Sequence, residues 1–130
     1  MERKGRDNHM RELLLLSRNY ISKDDFIKKI HLENYHLELG GNDDQLWILD
    51  DLTNDCIVII DLLQLDSEGN CVFDEVDSEI NKGIKTPYDG FLYSIQYESE
   101  IIAKKVLQQL DNTIEEGYYK IGSAKTFKRL

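Results

Sequence analysis

Cys-Ile-Val-Ile-Ile-Asp-Leu-Leu-Gln-Leu, residues 56–65, is the stretch from which the rest of the chain is placed. It is rich in β-branched residues and mostly apolar on both faces. That is the pattern of a central strand in a sheet. Just after it, Asp66-Ser67-Glu68-Gly69-Asn70 is a turn-forming cluster, and Cys-Val-Phe-Asp-Glu-Val at 71–76 reads as the returning strand. A loop over 67–69 pairs Leu65 with Cys71, Leu63 with Phe73 and Asp61 with Glu75. The last pair sets two like charges opposite each other, which is unfavourable unless both are exposed or neutralised.

Working upstream, Asp50-Asp51-Leu52-Thr53-Asn54-Asp55 is a polar turn, and Leu46 to Leu49 a second strand with the only tryptophan, Trp47. Gly40-Gly41-Asn42-Asp43-Asp44 closes a further strand in which Tyr35, Leu37 and Leu39 alternate with His36 and Glu38. The run from about His9 to Tyr20 suits a short helix with Met10, Leu13, Leu14 and Ser17 along one side. Ser22, with Asp25 three residues on, caps a second helix whose buried stripe is Phe26, Ile27 and Ile30. Downstream, residues 78–90 read as loop, with Gly83, Pro87 and Gly90, and Phe91 to Tyr97 as strand. Ile102, Val106, Leu110 and Ile114 recur at helical period, so a longer helix is expected over about 97–116, with Gly117 as its C′ residue. Tyr118 to Ile121 reads as a last short strand.

The expected fold is therefore α+β: an antiparallel sheet of about four to five strands, with two short N-terminal helices and one longer C-terminal amphipathic helix packed on it. The chain is long enough for one domain, 1–130, with residues 1–8 and 123–130 as flexible tails.

Charge carries the functional signal. The chain has 16 basic and 25 acidic residues, a net charge of −9. Residues 1–30 are net +3 and residues 82–130 net +2, whereas residues 31–81 contain fourteen carboxylates and no Lys or Arg. Average usage would put about six basic residues in a stretch of that length. Such a segment is either neutralised by the chain's own basic ends or kept open for a cationic partner. Its sign argues against direct binding to nucleic acid or to an anionic membrane. The candidate partner-binding residues are Asp43, Asp44, Asp50, Asp51, Asp55, Asp61, Asp66, Glu68, Asp74 and Glu75.

Catalytic signals are weak by comparison. Cys56 and Cys71 do not face each other in the hairpin register and no secretory leader is visible, so both are read as reduced thiols in a cytoplasmic protein. No Cys-x-x-Cys supports zinc, and His9, His31 and His36 have no metal or nucleophile spacing. The Gly40-Gly41 pair runs into Asp43 and Asp44, which repel phosphate. Asp43, Asp44, Asp50, Asp51 and Asp55 suggest a hard cation, yet no stretch has EF-hand spacing. No cofactor is expected.

The leading expectation is a small acidic, non-enzymatic protein that neutralises a cationic protein partner. In size and charge it is like bacterial immunity proteins against nuclease toxins and phage inhibitors of nucleic-acid-handling enzymes, a likeness of composition alone. The alternatives are a homodimer or assembly component whose basic ends cover acidic middles and, behind it, a carboxylate-based metal-dependent enzyme.

Overall fold

The computed structural model describes residues 10–40, 45–61, 90–122 and 124–130. Among these residues seven strands form one antiparallel sheet: β1 (Arg11–Ser17), β2 (Tyr35–Gly40), β3 (Gln45–Asp50), β4 (Cys56–Asp61), β5 (Phe91–Tyr97), β6 (Tyr118–Ile121) and β7 (Lys128–Arg129). Their order is β2-β3-β4-β5-β1-β6-β7. Two helices, α1 (Lys23–Lys29) and α2 (Glu100–Leu110), complete the described chain.

This corrects the expected four to five strands and three helices. The His9–Tyr20 stretch holds a strand, β1, set between β5 and β6, with Leu13 opposite Ile95 on one side and Ile121 on the other. Its leucines serve both faces of the sheet. Leu13 and Leu15 join the core that includes the helices, while Leu14 and Leu16 pack with Phe127, Leu92 and Tyr118. A strand buried on both sides has no polar alternation, and a short leucine run then looks the same whichever element it belongs to.

In the C-terminal segment, where residues 123–130 are expected as a flexible tail, Tyr118 and Tyr119 pair with Arg129 and Lys128, Phe127 is buried, and Leu130 packs on the core. The helix expected over 97–116 is shorter at both ends. Tyr97 is the last residue of β5, Ser99 caps the helix by accepting from the Ile102 N–H, and Asp111 closes it. Gly117 is not a left-handed C′ residue; the positive φ falls on Glu116 (47°). Glycine is needed at 117 for space, since a Cβ there would collide with Ile114 and Leu130. The 71–76 strand, its pairing with 61–65 and Cys71 lie outside the described residues, as does the tail at 1–8.

One core lies between the sheet and the helices. Leu46, Ile48, Val58, Ile60, Tyr93, Ile95 and Tyr97 supply the sheet side, Phe26 the contribution of α1, and Ile102, Ala103, Val106, Leu107 and Leu110 that of α2. α1 is short, seven residues, but has a complete capping box between Ser22 and Asp25. Phe26 meets Tyr93 edge-on, ring centroids 5.5 Å apart. The Tyr93 hydroxyl accepts from the Ile21 N–H at 2.6 Å and lies 3.3 Å from the Ile21 carbonyl, pinning the β1–α1 connection to β5. Asn19 ties the same connection to the segment after α2, donating to the Thr113 carbonyl and accepting from the Glu115 N–H.

Candidate functional site

The turn that joins β3 to β4 is built by its own carboxylate. One oxygen of Asp50 accepts from the Leu52 N–H (2.8 Å) and the Thr53 N–H (3.1 Å). Those backbone donors hold the Asp50 carboxyl below the usual aspartate range, Thr53 contributing most. The Asp50 N–H donates to the Asp55 carbonyl, and Asn54, at φ 59°, donates back to the Asp50 carbonyl. The Asp51 N–H reaches the Asn34 carbonyl, so the turn is also stitched to the segment entering β2.

Three carboxylates, Asp50, Asp51 and Asp55, are thereby gathered at one end of the sheet. Leu52 stands at the tip of the same turn and is 94% exposed. Against this end lies His36 of β2. Its Nδ1 is 2.7 Å from an Asp51 oxygen and its Nε2 is 3.0 Å from a Glu38 oxygen. The bond to Asp51, then that to Glu38, pushes the His36 pKa above its ordinary value. When protonated, the imidazolium donates to both carboxylates, so two negative groups share one titratable cation.

The ten carboxylates expected to form one surface are not all brought together. Asp61 sits at the opposite end of β4, where Gln45 donates to it at 2.7 Å and Trp47 donates in turn to Gln45 at 2.9 Å. It belongs to a polar relay across β3 and β4, apart from the turn. Asp43, Asp44, Asp66, Glu68, Asp74 and Glu75 lie outside the described residues. Sequence reading missed His36, Glu38 and Leu52. The signal for the first two was present: positions 36 and 38 fall on the same face of an alternating strand. Nothing in the sequence alone placed Asp51 beside them.

Charge is separated across the width of the sheet. Strands β2, β3 and β4 carry Glu38, Asp50 and Asp61 and no Lys or Arg. At the other edge, β6 and β7 carry Lys120, Lys128 and Arg129 and no Asp or Glu. Ion pairs among the described residues are found at Arg18–Glu116 and Lys104–Glu100, while His36 is the cation that meets Asp51 and Glu38.

Apart from this end, a hollow of about 360 Å³ lies beside α2, lined by Lys104, Leu107, Gln108, Asp111 and Tyr119 among others. Its mixed charges point to no one ligand. Among the described residues there is no group of three or more His, Cys, Asp and Glu placed to hold a metal ion, and no helix long and apolar enough to cross a membrane. Comparison with protein-family models, with curated proteins and with solved structures finds no match to this chain.

Proposed function

We propose that the chain is a non-enzymatic binding protein that neutralises a cationic protein partner, and that the Asp50–Asp55 turn with His36 and Glu38 is its contact surface. The observation that supports this most is the lateral segregation of charge, with β2 to β4 free of lysine and arginine and the basic strands at the far edge. An anionic corner speeds encounter with a cationic surface and rejects anionic competitors. Leu52 adds what charge lacks, an apolar knob ringed by carboxylates that can be desolvated at the centre of a contact. A phosphate-binding groove of a nuclease-type toxin or a nucleic-acid-handling enzyme has the matching chemistry. The place of action in this reading is the cytoplasm.

The test is association with a basic partner recovered in fixed ratio from the native host, measured by stopped flow over a range of salt. Replacing Asp50, Asp51 and Asp55 by Asn should slow association and flatten its salt dependence. Unchanged kinetics would remove the turn from the interface. The same charge separation favours a second reading, head-to-tail self-association of acidic and basic edges. In that case the solution mass should fall as salt rises from about 50 to 500 mM, because screening shortens the reach of surface charges.

A further inference from the structure

β2 is an edge strand: among the described residues, only β3 pairs with it. The direction of its backbone groups follows from two bonds at its start. The Asp51 N–H donates to the Asn34 carbonyl, whereas the Asp50 N–H turns the other way, to the Asp55 carbonyl. Bonded and non-bonded pairs alternate along an antiparallel ladder. Tyr35 opposite Asp50 is thus a non-bonded pair, and so are Leu37 opposite Ile48 and Leu39 opposite Leu46. The N–H and C=O groups of Leu37 and Leu39 therefore point outward, away from β3.

The two faces of this edge differ in chemistry. Tyr35 and Leu37 are half-buried and pack against the core at the margin of the sheet, and Leu39, on the same face of the strand, is 41% exposed. His36 and Glu38 stand on the opposite face, joined by Asp51. Edges are commonly guarded by lysine, proline or a bulge. Residues 35–40 contain no lysine or proline, and the register with β3 is unbroken. The guard here is negative charge. A second β2 laid against the first would bring Glu38 and Asp51 towards their own copies, which is repulsive. A cationic strand meets no such opposition.

We infer that the outer edge of β2 is a strand-addition site for an extended segment in which apolar residues alternate with Lys or Arg. Backbone bonds to Leu37 and Leu39 give affinity, the apolar residues cover Leu37 and Leu39, and the cations face Glu38 and Asp51. The inference rests on the cationic-partner reading and specifies how such a partner binds.

The experiment uses the full chain, labelled with ¹⁵N, and an end-blocked heptapeptide of alternating Lys and Val, with a Glu–Val heptapeptide as control. At saturation with the Lys–Val peptide, amide exchange at Leu37 and Leu39 should slow by about tenfold or more, the protection a new ladder bond gives. The Glu–Val peptide should leave both amides unchanged. Leu39→Pro removes one outward N–H without touching a bond to β3; it should weaken peptide binding by at least about tenfold, the loss of one backbone contact and its neighbours. Lys–Val binding that depends on Asp51 but leaves the Leu37 and Leu39 amides unprotected would overturn strand addition and leave the acidic corner standing. Equal protection by both peptides would overturn the charge selection. No binding of the Lys–Val peptide at low salt would overturn both readings.

Discussion

Tyr93 and Tyr97 stand on the same face of β5, both buried, yet their hydroxyls have opposite fates. That of Tyr93 bonds to the Ile21 backbone, whereas that of Tyr97 has no hydrogen-bond partner among the described residues. Burial pushes the Tyr97 pKa up, as expected of a hydroxyl cut off from water. Two substitutions of identical chemistry should therefore differ. Tyr93→Phe leaves the Ile21 N–H buried without an acceptor and should cost about 1–3 kcal/mol. Tyr97→Phe removes an unsatisfied group and should be neutral or slightly stabilising. Chemical denaturation of the two variants checks this, and equal losses would refute it.

His36 should titrate above the ordinary histidine range, because its protonated form is bonded to Asp51 and Glu38 in the folded chain. Asp51→Asn should lower its pKa more than Glu38→Gln, following the order of the two contributions. The His36 contribution is complete below the unfolded pKa and is lost as pH rises through the higher folded value. For Asp50 the sign is reversed: its contribution is present above the unfolded value and fades as pH falls through the depressed folded one. Protection of the amides in the 50–55 turn, taken relative to their intrinsic exchange rates at each pH, should be greatest between these limits. Ring-proton shifts of His36 against pH provide the first measurement.

Ser22 receives the Asp25 N–H on its hydroxyl while the Asp25 carboxylate accepts from the Ser22 N–H. A seven-residue helix has little cooperativity of its own. Ser22→Ala should cost about 1 kcal/mol. Thermal unfolding of the variant would show it, and an unchanged midpoint would mean that α1 is held by Phe26 alone.

Gly40 lies under the indole of Trp47, where a Cβ would collide with the ring. The indole is in turn fixed through its bond to Gln45. Gly40→Ala should destabilise by about 1–3 kcal/mol, the range for forcing extra volume into a packed site. Tryptophan fluorescence should shift at the same time. A stable variant with unchanged emission would contradict this packing.

Leu52→Ala separates binding from folding. Its side chain is 94% exposed, so stability should change by no more than about 0.5 kcal/mol. Affinity for the cationic partner should fall by about tenfold if Leu52 fills a pocket there. Calorimetry of binding and unfolding on the same variant gives both quantities.

Much of the sheet was legible because period-2 alternation survives where one face is wetter than the other. Tyr35 to Leu39 and Phe91 to Tyr97 are of this kind. The leucines of β1 were not legible, since both faces are covered and no polar residue interrupts Leu13 to Leu16. Phe127 was the one sign that the C-terminal segment is held, a large apolar residue among lysines whose burial depends on a strand far away in sequence. At the candidate site, the turn of Asp50, Asp51 and Asp55 was readable from composition. The partnership of Asp51 with His36 was not, because it depends on the register of β2 against β3.

The position of β1 has a consequence for how the molecule is made. β1, the first strand among the described residues, is walled in by β5 and β6, which come from the second half of the sequence. During synthesis the four leucines wait without their neighbours until residue 121 has been released, and only then can the middle of the sheet close. Folding is governed by these distant pairings, so it should be slow for a protein of this length. A nascent chain halted before β6 would carry a sticky, unpaired segment, the kind of surface on which chaperones act.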